Sequence, residues 1–383
     1  MAEFLTGFQV DNFKKFNTLK VENIGAINLI TGDNNVGKTS LLEALLVTDD
    51  YNKTITFIHR ILCQKNIHIH PSKIESKTPN FPRDSYFKYL KNNPAKSLSF
   101  KLETKNASFI LDLQDCLLDD LIESDFVKRK KDNYNVGNPQ NWIKISVNNN
   151  FEELQWMYKD DFERKLVHDF WPLISFDAGY QDDINHFYKD GVGVDENSTR
   201  FYIEDGELVE KFKTLEFLQK KKFIESLSMF IKDVEDTAIK SYYGRDILSI
   251  KLKTFDDYKP ITFWGEGFNK FVRYLLEIIK CKENRILIDE IDTGIHWTKQ
   301  LVFWKNIMQS CIHNNVQLFA TTHSLDSVKS FITAAEELEI NEKVRLIELK
   351  EVESNLYANT FSTTEVSSAL DSDLNIRGGN IYG

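Results

Sequence analysis

Residues 32 to 39 read Gly-Asp-Asn-Asn-Val-Gly-Lys-Thr, a pair of glycines followed by a lysine and a hydroxyl at the spacing that phosphate binding requires. Gly32 and Gly37 permit backbone turns in which successive N–H groups converge on one anion, and a helix starting at Lys38 adds the partial positive charge of its N-terminus. Lys38 is placed to reach the β and γ phosphates of a nucleotide. The Thr39 hydroxyl is an oxygen ligand for Mg2+, an ion that dehydrates reluctantly and takes few ligands from the protein. Asn34, Asn35 and Ser40 complete the predicted nucleotide-binding set. A second constellation lies far along the chain, where Arg285-Ile-Leu-Ile-Asp-Glu290 is an apolar run ending in two carboxylates. At the end of a strand the first acid, Asp289, holds Mg2+ and the second, Glu290, orients or deprotonates the attacking water. A glutamate directly after the metal-binding aspartate is not the arrangement of GTPases. Asn52-Lys53-Thr54-Ile55 and Asn269-Lys270-Phe271-Val272 both lack the aspartate of a guanine-reading motif, so the expected nucleotide is ATP.

The elements needed to position these residues can be read from hydrophobic periodicity. Alternation over Phe4 to Val10 and Leu19 to Val21 predicts a hairpin, and Ala26 to Ile30 predicts a buried strand that delivers Gly32. The helix from Lys38 places Leu41, Leu42, Leu45 and Leu46 on one face. Strand-like runs follow at Leu98 to Leu102, Phe109 to Leu113, Trp142 to Val147 and Leu173 to Phe176, with surface loops expected around 91 to 97 and 128 to 141. Glu207 to Val234 has helical spacing. The last third alternates, with helices over Phe268 to Ile279, Thr298 to Ile312 and onward from Ser324, and strands at Arg285 to Asp289 and Val316 to Ala320. This order of strands and helices predicts a parallel sheet.

Taken in order, the phosphate loop, Trp264-Gly-Glu-Gly-Phe-Asn-Lys270, Asp289-Glu-Ile-Asp-Thr-Gly-Ile-His296 and Ala320-Thr-Thr-His-Ser324 resemble the SMC/RecF-like ABC ATPases. Within that group the likeness is nearest to the ATPase part of the overcoming-lysogenisation-defect (OLD) nucleases and their stand-alone relatives. The opening Phe8-Gln-Val-Asp-Asn-Phe-Lys-Lys-Phe16 also looks like the first strands of that family. The resemblance implies an α/β, P-loop ABC-type ATPase head with an N-terminal antiparallel β portion and a mixed α+β insertion forming a lid or a short helical arm. Residues 1–50 would be the first part of the core, 51–259 the insertion, and 260–383 the second part. It also implies that Gly265, Glu266 and Gly267 form a signature loop meeting the γ-phosphate bound by a second protomer. Residues 292–296 would be the D-loop and His323 the switch histidine on the γ-phosphate. The signature has Gly265 where a serine is usual and Lys270 where arginine is common. Gln181 is the candidate for a Q-loop, and packing at an interface is the expected role of His296.

Composition bounds the function. A chain of 383 residues, 42% hydrophobic and 28% charged, suits a globular protein of two or three domains. No apolar run approaches the length of a signal peptide or a membrane span, so a cytoplasmic protein is expected. Cys63, Cys116, Cys281 and Cys311 lie far apart, which argues for buried thiols rather than a zinc site or a disulfide framework. A formal charge of −10 disfavours a protein that coats nucleic acid over its whole surface. Lys128-Arg-Lys-Lys131 and Lys220-Lys-Lys222 read as solvated faces. Ile67-His-Ile-His70 lacks further ligands for a metal, and Asp371-Ser-Asp373 reads as a polar helix end. The OLD nucleases carry a Toprim nuclease domain after the ATPase, which the residues following the last predicted core helix leave no room for. The leading expectation is an ATPase that dimerises through ATP-sandwiched heads, as a homodimer or higher homo-oligomer, and controls a separately encoded effector, a nuclease, in anti-phage defence. A RecF-like ATPase with a DNA contact, or an ATP-bound assembly scaffold, are the alternatives.

Overall fold

A computed structural model describes residues 4–49, 54, 90–116, 142–148, 150–156, 173–174, 208–281 and 285–372. Its first strands, β1 (Leu5–Phe13) and β2 (Phe16–Val21), form the expected hairpin, with Phe8 opposite Val21 and Phe13 opposite Phe16. The strands β4 (Leu98–Thr104), β5 (Ser108–Cys116), β6 (Trp142–Val147) and β7 (Asn150–Trp156) extend that hairpin into an antiparallel sheet of order β2-β1-β4-β5-β6-β7. Residues 92–97, before β4, are exposed as a surface loop should be.

The second sheet has the order β15-β14-β3-β13-β12-β8. At its centre is β3 (Ile27–Gly32), all six residues of which are buried, as expected of a strand covered on both faces. Beside it run β13 (Gln317–Thr321) and β14 (Val344–Val352), both parallel to it, then β12 (Arg285–Ile288) and β8 (Leu173–Ile174). Only β15 (Asn355–Phe361) is antiparallel. Alternation along these strands separates two cores. Ile286, Ile288, Leu318, Ala320, Val344 and Leu346 join one cluster. It also holds residues of α3 (Glu266–Lys280), α4 (Gln300–Asn314) and α5 (Leu325–Glu337). Leu287, Phe319 and Ile347 face the other way, into a cluster shared with the antiparallel sheet and α1 (Lys38–Ala44).

The predicted helix over Glu207 to Val234 is corrected. Helical turns over 208–213 stop at Thr214, and α2 (Phe217–Phe230) starts afresh behind a capping box of Glu216 and Gln219. Asp233 then turns with φ of 63°, and Val234 opens a strand rather than closing a helix. That strand, β9 (Val234–Tyr242), pairs with β10 (Arg245–Leu252), which pairs with β11 (Lys259–Pro260). This small sheet was not expected, nor was the β14–β15 hairpin. A final helix, α6 (Thr363–Asp371), ends at the first acid of the Asp-Ser-Asp run. Asp373, Cys63, the 67–70 histidines, the 128–131 basic run, the 128–141 loop and Gln181 lie outside the described residues. Burial pushes the Cys281 thiol up to about 12 and raises that of Cys311 as well. No described helix is long and apolar enough to cross a membrane.

Candidate nucleotide site

The chain leaves β3 at Gly32, with φ of 141°, turns through Asn35 at φ of 61°, and reaches Gly37 at φ of 105°. Gly37 is the N-cap of α1 and has no side chain to cover the first helical N–H groups, which are left to a ligand. A side chain there would also collide, since a Cβ would lie 3.0 Å from the Phe16 ring. The hairpin turn therefore braces the loop. Lys14 pairs with Glu43 of α1, and the Lys15 ammonium donates to the Asn35 carbonyl. Asn34, Asn35 and Thr39 are exposed and Ser40 is half-buried. Lys38 is buried, and its ammonium donates to the carbonyls of Gly32 at 2.7 Å and Asp33 at 2.8 Å. Burial pulls its pKa down, against the raising influence of Asp289, Asp33 and Glu290.

The two acids arrive from β12. Thr39 donates to Asp289 Oδ2 at 2.7 Å, and Thr321, at the end of β13, donates to Oδ1 at 2.5 Å. Glu290 sits in the left-handed region with φ of 47°, and its N–H donates to the same Thr321 hydroxyl at 2.8 Å. Its carboxylate is exposed, with Thr293 Oγ1 at 3.4 Å. His323 Nε2 stands 3.8 Å from Glu290 Oε1, near enough for attraction and too far for a hydrogen bond. Asp292 is half-buried. Burial raises its pKa, partly offset by a hydrogen bond with Thr322.

The segment 265–267 is not a loop throughout. Gly265 (φ 85°) is the N-cap of α3, and Glu266 and Gly267 form its first turn, so the helix starts two residues earlier than its periodicity suggested. Gly267 packs against the turn after the acids. A Cβ at 267 would fall 2.3 Å from the Gly294 carbonyl oxygen, which leaves glycine as the residue that fits. Lys270 reaches across the same contact, with its ammonium 3.2 Å from Glu266 and 3.3 Å from the Thr293 carbonyl. His296 caps the short turn that follows, its Nδ1 2.9 Å from Thr298 Oγ1.

Sequence reasoning missed two residues that hold this arrangement. Thr321 is one. The other is Arg285, whose guanidinium donates to the carbonyls of Leu45 at 2.8 Å and Val47 at 3.1 Å, tying the start of β12 to the residues just after α1. Burial pulls its pKa down to about 10, which leaves it charged at neutral pH. The available signals were a hydroxyl at the end of one strand and a charge at the start of another.

Thr39 and Asp289 present hard oxygen donors to one another, a set that fits Mg2+ rather than a softer ion. Among the described residues no group of three or more His, Cys, Asp or Glu is placed to hold a metal by itself. That is consistent with an ion shared between two protein oxygens, water and phosphate.

The chain is similar to several known proteins. Solved structures similar to the chain include an SMC head domain from Thermotoga maritima, at 12% identity and a TM-score of 0.46, covering 93% of this chain and 98% of that one. An SMC head bound to the C-terminal winged-helix domain of ScpA is similar at 12% identity and a TM-score of 0.48, over 95% of this chain and 99% of that one. A curated relative from Helicobacter pylori (strain ATCC 700392 / 26695), named ATP/GTP phosphatase, is 22% identical over 97% of this chain and 99% of its own length. The family model described as "AAA domain, putative AbiEii toxin, Type IV TA system" matches residues 27–328, a span that holds the phosphate loop, both acids and His323. The chain belongs to that family, and it is an ATPase of mixed α/β fold.

Proposed function

We propose that the chain hydrolyses ATP with Mg2+ at an ABC-type site completed by a second copy, and that the ATP-bound dimer or larger assembly controls a separately encoded effector, a nuclease. The observation that carries the hydrolytic part is the convergence of Thr39, Asp289 and Glu290 beside Lys38. On this reading Lys38 exchanges the Gly32 and Asp33 carbonyls for the β and γ phosphates. Thr39 and Asp289 would hold Mg2+, and the ion would supply positive charge against the triphosphate. Glu290 accepts the proton of the attacking water, the bond between the γ-phosphorus and the bridging oxygen breaks, and ADP departs with the electron pair. His323, beside Glu290, contacts the γ-phosphate. The exposed Glu266 at the start of α3, with Gly265 and Gly267, meets the nucleotide of the partner copy.

The effector and the defence role rest on the likeness of the four motifs to the OLD group. The name of the Helicobacter pylori relative, ATP/GTP phosphatase, agrees with nucleotide hydrolysis. Residues 1–50 and 260–383 are taken as the two halves of the core and 51–259 as the region between them, which includes strands of the antiparallel sheet.

Glu290→Gln keeps the shape of the side chain and removes the base, so turnover should fall by about 10² to 10⁴ while ATP and Mg2+ still bind. The variant should accumulate as an ATP-bound assembly, visible by light scattering with and without Mg-ATP. Adding Glu266→Trp, a bulky change at an exposed position, should abolish that assembly. Wild-type turnover in Glu290→Gln, or an assembly state indifferent to ATP, would overturn the proposal.

A further inference from the structure

We infer that Thr321 is the positioning residue that aligns both acids of the ATPase site, an assignment that rests on the roles proposed above for Asp289 and Glu290. The strand order β3-β13-β12 puts the end of β13 between the phosphate loop and the acids, and Thr321 is the last residue of β13. Its side chain is fully buried, where water does not replace a lost partner. One oxygen there serves two ends. The O–H donates to Asp289 Oδ1, which turns Oδ2 toward Thr39, and the remaining lone pairs accept the N–H of Glu290. A second bond runs from the Ile291 N–H to the Thr321 carbonyl at 3.1 Å, so the strand end grips the turn by backbone and by side chain.

The backbone of Glu290 requires such a grip. Its φ of 47° lies in a region that residues with a Cβ seldom occupy. The bond from its N–H is the contact that fixes where the carboxylate leaves the turn, since the carboxylate itself is exposed. Without the hydroxyl, Asp289 loses its Oδ1 partner and keeps the Thr39 bond alone, and the Glu290 N–H loses its acceptor. Both changes move oxygens by fractions of an ångström to an ångström, an error that costs up to about 100-fold in rate when the reacting geometry is tight. ATP binding through Lys38 and the loop N–H groups does not involve Thr321.

The test compares Thr321→Val, which keeps shape and loses the hydroxyl, with Thr321→Ser, which keeps the hydroxyl. In Thr321→Val the expected results are a kcat lower by about 10- to 100-fold, an ATP dissociation constant within about 2-fold of wild type, and a higher Mg2+ concentration at half-maximal rate. Thr321→Ser should recover kcat to within about 5-fold. Thr321→Val added to Glu290→Gln should cost little more than Glu290→Gln alone, because the two act on one function. Full activity in Thr321→Val while Glu290→Gln is inactive would overturn this inference and leave the ATPase reading standing. Full activity in Glu290→Gln would overturn that reading itself. Equal losses in Thr321→Val and Thr321→Ser, with parallel drops in melting temperature, would reduce Thr321 to a structural role and also overturn the inference.

Discussion

The phosphate loop is held by its own residues and by the hairpin turn that shortly precedes it, through Lys15 and Phe16. Lys38 bonds to Gly32 and Asp33, the Val36 N–H to Asp33, and the Leu41 N–H to Gly37. The acid turn at the end of β12 takes its partners from elsewhere: Thr39 is 250 positions away, Thr321 is on the next strand, and Lys270 and Gly267 are on α3. The first device is a sequence motif that carries its own geometry. The second is an assembly of remote parts, each of which must be in place before the carboxylates point anywhere useful. Damage to the loop should therefore be chemical and local, whereas damage to the turn should reach the fold.

Among changes that separate these two regions, the largest effect is expected for Lys38→Ala. It removes a charge-assisted contact worth about 1.5–3 kcal/mol, equivalent to a loss of about 10- to 100-fold in ATP affinity by calorimetry. The melting temperature should barely move, because the lysine partners are two carbonyls of its own loop and burial there already disfavours its charge. Substantial unfolding by Lys38→Ala would break the contrast between the two regions. Gly267→Ala tests the other side. Its Cβ would press on the Gly294 carbonyl, and such overpacking costs about 1–3 kcal/mol, or several degrees of melting temperature, with slower turnover as a secondary consequence. A variant as stable as the wild type would show that α3 is not fastened to the acid turn.

The smallest effect concerns Asp292. Burial raises its pKa, so the folded protein binds this proton more tightly than the unfolded chain does. The associated stabilisation is complete below the ordinary aspartate value and is lost as pH rises through the raised one, leaving a disfavoured charge at neutral pH. Asp292→Asn should therefore raise the melting temperature by about 2 °C at pH 7 and by less at pH 4, measured by calorimetry. The opposite order of the two gains would mean that the charge is stabilised within the fold.

The same division explains what could be read from the residues alone. The strand at Ala26 to Ile30, the helix from Lys38 and the acids after Ile288 were legible because each announces itself within a few positions. The strand–helix alternation of the last third was legible because each short apolar run is followed by apolar residues at helical spacing. Thr321 was invisible as a site residue because its importance arises from strand order, which no local pattern encodes. The overlong helix has a different cause. Leu208, Phe212, Leu215 and Leu218 keep helical spacing across the break at Thr214, yet Leu218 is largely exposed, so the pattern ran on where the backbone did not. Glu216 and Gln219 were the capping signal that marks the restart. The sheet β9-β10-β11 was missed because β9 has few fully buried residues, which leaves hardly any alternation to detect.

The central place of β3 in its sheet also governs the order in which the protein can be made. Its two neighbours, β13 and β14, belong to the last third of the chain, and Asn28 bonds to Leu318 across 290 positions. At a synthesis rate of about 5–20 residues per second, β3 emerges about 15 to 60 s before the first strand that can pair with it. During that interval six residues destined for burial have both strand edges open, the condition that invites pairing with a foreign strand. The hairpin β1–β2, complete before β3 is made, needs no such wait, and its turn is already formed to receive the loop. The nucleotide pocket is thus begun early in translation and closed late, and the interval between is when the nascent chain depends most on protection from its surroundings.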